Sequence, residues 1–326
     1  MPGENLTRIE AQDRRAVIDP TAGSGIEYEV TLDLNRGAEV FGSRTVVRFA
    51  ATPGANTFID LIARDVREIT LNGRSIDPAS AFTDSRIALE NLEATNELVV
   101  DADCMYTNTG EGLHRFVDPV DGEVYLYSQF EVPDSRRMYT VFEQPDLKAT
   151  FRFTVTAPEQ WAVVSNSPTP EPTRHGDGTA TWAFVPTDRI SSYITALVAG
   201  PYESTFSELT SASGRVIPLG VYGRKSLWHH LDADYIFDKT REGFAYFEEK
   251  FNFPYPFAKY DQLFVPEFNA GAMENAGAVT FTETYVFRGK VTDAVKERRV
   301  VTILHELAHM WFGDLVTMKW WNDLWL

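Results

Sequence analysis

Along the first 200 or so residues, apolar and polar positions alternate in short runs. Tyr28, Val30, Leu32 and Leu34 are separated by polar neighbours, and Thr45, Val47 and Phe49 follow the same rhythm. A period of two sets one face of a strand on a core and the other toward water. "REITLNGRSID" places Asn72-Gly73 between two such runs, the dipeptide that a two-residue hairpin favours because both positions take positive φ. "ATFRFTVTAP" and "ATWAFVPT" extend the pattern, and no amphipathic stretch of helical length is expected to interrupt it. "PTPEPTRHGDGT" (168–179) lies between strand patterns and reads as a long hairpin loop, not a linker. The fold expected for residues 1–203 is an all-β saddle or sandwich of mostly antiparallel sheet.

The texture changes after "LVAGPYEST", near 200–205. "DADYIFDKTREGFAYFEEKF" (232–251) spaces Ile236, Phe244, Phe247 and Phe251 at helical intervals. A strand-like "YDQLFVPEF" follows, then "GAMENAGAVTFTETYVF". A long helix is predicted from about Thr292 to Phe312, with Val295, Val300, Ile303, Leu304, Leu307, Ala308 and Trp311 as its apolar stripe. Gly313 is placed to cap it. Strands mixed with long helices make residues 204–326 an α+β region. Trp320, Trp321 and Trp325 read as core, and no internal repeat is visible.

Composition narrows the function classes. The 326 residues are 44% hydrophobic and 24% charged, ordinary for a globular protein, with a formal net charge of −17. So acidic a chain does not neutralise phosphates, so neither nucleic acid nor an anionic membrane is an expected partner. Cys104 is the single cysteine, which excludes a disulfide within the chain and suits a cytoplasmic location. The first twenty residues carry no secretory apolar run, and nothing approaches the roughly 18 consecutive apolar residues of a membrane span.

The candidate chemistry lies near the end of the chain. His305, Glu306 and His309 form H-E-x-x-H within the predicted helix. Residues i and i+4 share a face, so the two imidazoles can converge on one ion. Glu306 lies about 100° further around the axis, within reach of a water at that ion without being a ligand. Ordinary polar residues on a helix would give the same letters with no metal. A second motif, "GAMEN" (Gly271, Ala272, Met273, Glu274 and Asn275), precedes it. A free α-amino group is largely cationic at neutral pH. A carboxylate such as Glu274, fixed relative to a metal, would measure off one residue and reject internal peptide bonds. The flanking Gly271 and Gly277 would let backbone approach a substrate closely enough to pair with it. His114 and His175 have no evident partner, and His229 and His230 match no ligand spacing.

With these motifs on "WFGDLVTMKWWNDLWL", the chain resembles the zinc aminopeptidases of the aminopeptidase N family, the gluzincin aminopeptidases, over essentially its whole length. The resemblance implies a β domain followed by part of a thermolysin-like catalytic domain. It implies peptides with a free N-terminus as substrates and one zinc ion, held by His305, His309 and a glutamate expected just past Leu326. On that view residues 1–326 alone would bind zinc weakly or not at all and be inactive. "WNDLWL" would open the helix carrying that glutamate, with Asn322 or Asp323 at its cap. An intermediate-stabilising tyrosine and helical C-terminal domains would also lie downstream. Glu306 would be the general base, and Glu274 and Glu131, the latter in "LYSQFEVPDSRRMYTVFEQPDLKATF", would hold the amine. Gln129 would contact the first side chain, near Ala270. The family often has Asp where this chain has Glu143, a change expected to touch packing only. A related epoxide hydrolase shares fold and zinc site, but Ala272 of the intact GAMEN favours the aminopeptidase. A non-catalytic module is the remaining alternative.

Overall fold

The alternating runs become strands whose apolar side chains share a core. In the computed structural model, which describes residues 4–19, 21–23 and 25–324, Tyr28, Val30 and Leu32 are buried along Ile26–Asp33. Val47 and Phe49 are buried along Val40–Ala51. Among the described residues these strands belong to a nine-stranded sheet. Its order runs Thr173–Arg174, Thr179–Ala183, Ala149–Pro158, Ile26–Asp33, Val40–Ala51, Thr95–Met105, Asp65–Leu71 and Arg74–Ile76, and the ninth strand, Ile18–Asp19, pairs antiparallel with Val40–Ala51 off this path. The pairings are antiparallel except that Ala149–Pro158 runs parallel to Ile26–Asp33. Asn72-Gly73 closes its hairpin with φ of 52° and 75°, as that dipeptide allows.

Two readings of this half need correction. A helix, α1 (Arg8–Val17), opens the described chain, capped by the reciprocal Thr7 and Glu10 hydrogen bonds of a capping box. The periodicity hid it because its inward face is charged: Arg14 is fully buried, ion-paired with Asp60 at 2.6 Å and hydrogen-bonded to Gln144 at 3.1 Å. The segment 168–179 is not one long hairpin loop. Its first part crosses between sheets, and a short hairpin closes only between Thr173–Arg174 and Thr179–Ala183.

A four-stranded sheet of Gly112–Val117, Val124–Gln129, Leu197–Gly200 and Ala162–Ser165 leads toward the second region. Sheet membership then changes between Gly200 and Glu203. Glu203–Thr210, Val216–Gly223, Tyr260–Val265, Ala278–Thr282 and Ala272–Met273 form a five-stranded sheet in that order, with the short Ala272–Met273 at its edge. The helix α2 (Ala233–Phe251) buries Ile236, Phe237 and Phe244, while Phe247 and Phe251 pack on Trp311 at ring distances of 6.2 and 5.5 Å.

The last helix, α3 (Asp293–His309), ends earlier than periodicity predicted. Met310 is its C-cap. Trp311 turns inward instead of continuing the helix, donating its indole N–H to the Phe253 carbonyl at 3.0 Å. Gly313 therefore serves the following turn, at φ 132°, and is not the cap. Val295, expected in the apolar stripe, is exposed in the solvated first turns, and burial begins at Arg299. Trp321 packs edge-on against Tyr193 at 5.6 Å, Trp320 is half-buried, and Trp325 lies outside the described residues. The segment expected to open a helix forms a 3₁₀ turn, Trp321–Asp323, with Trp320 at its cap. Asn322 donates to Asp323 at 2.9 Å, so neither side chain caps the turn.

Candidate active site

One face of α3 forms the floor of a cleft of about 390 Å³, contributing Arg298, Val301, Thr302, His305, Glu306 and His309. These positions recur at the helical period. The His305 and His309 Nε2 atoms converge to 3.1 Å. His309 Nδ1 donates to the Phe312 carbonyl at 2.8 Å, since a carbonyl can only accept, and this leaves a lone pair on Nε2. Gly313 makes room for that arrangement, because a Cβ there would lie 3.0 Å from His309 Nδ1.

The GAMEN segment forms the facing wall. Ala270, Gly271, Ala272 and Glu274 line the cleft. Met273 and Asn275 do not: both are fully buried beneath it, Met273 by the alternation of the strand Ala272–Met273 and Asn275 by donating to Thr280 Oγ1 at 3.3 Å. The loop is clamped from the β domain, where Asn166 Nδ2 donates to the carbonyls of Ile194 at 2.8 Å and Ala276 at 2.9 Å. Lys259 Nζ donates to the Gly277 carbonyl at 3.0 Å. Gly277 takes φ 68°, and a Cβ would meet the backbone oxygens of Lys259 at 3.0 Å and Asn166 at 3.3 Å. Gly277→Ala is therefore expected to lower stability by about 1–3 kcal/mol. Urea unfolding measures it, and an unchanged midpoint would show that the turn is not constrained there.

Glu131 reaches the cleft from the β domain, just past the strand Val124–Gln129. Gln129 is buried and is not among the lining residues; its amide oxygen has no hydrogen-bond partner among the described residues. Glu143 is more than packing. It is fully buried, accepts from the Arg136 N–H at 3.3 Å and pairs with the Arg136 guanidinium at 3.3 Å, holding the turn that follows Glu131. Burial pushes its carboxyl up to about 8.

Burial and mutual repulsion shift the carboxyl groups of the cleft toward their protonated forms. Burial, then Glu274 and Glu131, raise the Glu306 pKa well above the ordinary carboxylate value. Burial and Glu274 raise that of Glu131, partly offset by His309. Asp314, buried behind them with both carboxyl oxygens lacking partners among the described residues, is raised by burial and by Glu274. Burial, His309 and Arg298 lower the pKa of His305, keeping its imidazole neutral and able to act as a ligand. Among the described residues no group of three or more His, Cys, Asp or Glu side chains is arranged to hold a metal. Other clefts, of about 460 Å³ around Arg15 and Ala94 and about 470 Å³ around Trp161 and Asp261, contain no histidine.

Sequence reading missed Arg298, Val301, Thr302 and Leu324 as lining residues. The first three could have been found by extending the His305–His309 face back by one and two turns.

The peptidase M1 N-terminal domain family matches residues 26–194, and the peptidase family M1 domain matches residues 235–326. The chain is 62% identical to an aminopeptidase N of Streptomyces lividans, over 100% of this chain and 37% of that protein. It is 37% identical to an aminopeptidase Ey of Gallus gallus and 36% identical to an aminopeptidase N of Mus musculus, over 63% of this chain and 21% of each relative. The chain thus spans little more than a third of the length of the Streptomyces relative, and less of the other two.

Proposed function

Because the chain belongs to peptidase family M1, we propose that it forms the β domain and the metal-binding part of a zinc aminopeptidase that releases N-terminal residues from peptides. The observation that carries this reading is the placement of two converging histidine Nε2 atoms beside Glu306, with Glu274 and Glu131 on the same cleft. The two regions are proposed to divide near 203/204, close to the change of sheet membership between Gly200 and Glu203. No helix among the described residues is long and apolar enough to cross a membrane. A cytoplasmic location fits the buried free thiol of Cys104.

The residues present fit zinc. Two Zn–N bonds of about 2.0–2.1 Å at a tetrahedral angle separate the nitrogens by roughly 3.3 Å, close to the observed 3.1 Å. The cluster of carboxylates needs positive charge that a dication and a substrate ammonium would provide. His305 and His309 would hold the metal, and a third ligand, a glutamate, is proposed to come from outside the described residues. When bound, zinc polarises the scissile carbonyl and acidifies water.

The remaining chemistry falls to side chains of this chain. Glu306 takes a proton from the attacking water and delivers it to the leaving amine, and its burial strengthens its hold on that proton between the two transfers. Glu274 and Glu131 bind the ammonium group, which sets where the peptide begins relative to the metal. Ala272–Met273 ends its sheet, so its open edge suits pairing with an extended peptide. Gly271 at the start of that edge keeps side-chain bulk away from the substrate backbone.

The amine reading is tested with blocked and unblocked peptides. Glu274→Ala is expected to lower kcat/KM for free-amine substrates by roughly a hundredfold, the scale of removing one partner from a desolvated charge pair, and to leave the slow cleavage of N-acetylated ones unchanged. Wild-type cleavage of acetylated and free peptides at equal rates would refute it.

A further inference from the structure

A buried histidine distant in sequence from the metal motif joins the β domain to the segment that leads into the cleft. His114, on the strand Gly112–Val117, is 1% exposed and stacks on the Tyr127 ring with centroids 4.8 Å apart. Its Nδ1 accepts from the Gly110 N–H at 3.0 Å, which places its proton on Nε2. That Nε2 donates to Glu267 Oε2 at 3.2 Å. Burial lowers the pKa of His114, against a smaller opposing pull from Glu267, so the ring is neutral at neutral pH. The sequence offered no partner for it, because Glu267 is far away along the chain.

Glu267 is held in an unfavourable conformation. Its φ is 53°, a left-handed value that costs a non-glycine residue about 1 kcal/mol or more. Tyr127 donates its hydroxyl to the Glu267 carbonyl at 3.2 Å. Two residues on, Asn269 Nδ2 donates to the Thr109 carbonyl at 2.6 Å, lying where a side chain at Gly110 would have to be. Three links therefore tie residues 109–127 of the β domain to residues 267–269. The strand bearing Tyr127 runs on to Glu131, and the segment bearing Glu267 runs on to Ala270 and Glu274.

We infer that the His114–Glu267 contact is a positioning latch, which fixes the segment leading to Glu274 against the strand leading to Glu131 and so sets the separation of the two carboxylates that hold the substrate amine. The inference rests on the amine-site reading given above. His114 and Glu267 touch no substrate; they act through the backbone on either side of the cleft.

The test is steady-state kinetics of the full-length, zinc-loaded polypeptide on free-amine substrates. Glu267→Ala removes the acceptor from a side chain that is 55% exposed, so no cavity is left. His114→Asn keeps an acceptor near Nδ1 but loses the donor, and His114→Gln keeps a donor near Nε2. Glu267→Ala and His114→Asn are each expected to raise KM roughly tenfold with kcat within about twofold, the signature of lost uniform binding. His114→Gln is expected to stay within about threefold of wild type, and the double variant to be no worse than either single one. If His114→Asn does not fold, Glu267→Ala decides alone. An unchanged KM in Glu267→Ala while Glu274→Ala still lowers kcat/KM would overturn the latch and leave the amine site standing. Additive effects in the double variant would also overturn the latch. An unchanged kcat/KM in Glu274→Ala would overturn the amine reading and the latch with it.

Discussion

In the full-length polypeptide, Glu306→Gln is expected to retain one equivalent of zinc while losing turnover by roughly 10² to 10⁴, the usual contribution of a positioned general base. The substitution keeps the size of a side chain that is 4% exposed and packed into the cleft floor, so structure should survive. It removes the group that accepts and returns the proton. It also removes one carboxylate from the cluster with Glu274 and Glu131, which relieves their mutual repulsion. Unfolding stability is thus expected to hold or rise as activity collapses. Near-normal turnover by the zinc-loaded variant would remove Glu306 from the base role, whereas loss of zinc would make it a ligand.

In the same full-length polypeptide, His309→Ala is expected to lower zinc affinity by roughly 10² to 10³-fold and to abolish activity at ordinary zinc concentrations, given the ~10–16 kcal/mol that a full ligand set shares. The Phe312 carbonyl orients this ligand through Nδ1, and Gly313 leaves the space for it to do so. Gly313→Ala should therefore weaken zinc by about tenfold, as loss of an orienting contact does, without removing any ligand. Metal analysis after dialysis against a chelator reads both variants. Full zinc retention by His309→Ala would rule out the imidazole pair as the metal site.

The parts of this protein legible from sequence were those set within one stretch of chain. H-E-x-x-H works because four residues make about one helical turn, so His305 and His309 had to share a face wherever α3 was packed. Asn72-Gly73 dictated its hairpin through φ alone, and the period-two runs named the buried residues Tyr28, Val30, Leu32, Val47 and Phe49. Family membership was equally readable, because GAMEN and H-E-x-x-H are both local words.

What the sequence by itself determined, then, was the type of each strong element, the pair of imidazoles and the carboxylate beside them. Tertiary structure decided what those pieces face. The helix α1 escaped because its buried face centres on Arg14, which is acceptable inside only because Asp60 and Gln144, remote in sequence, meet it there. The end of α3 moved back to His309 because Trp311 finds its partner at Phe253, another turn of chain altogether. Met273 went beneath the cleft because an edge strand can show only alternate residues to it, and Asn275, past that strand, because its amide bonds Thr280. Glu131, Glu274 and the His114–Glu267 contact join positions more than a hundred residues apart, and only the order of strands in the sheets brings them together. Periodicity records which way a side chain points from its own backbone; it holds no information about which distant backbone will lie opposite.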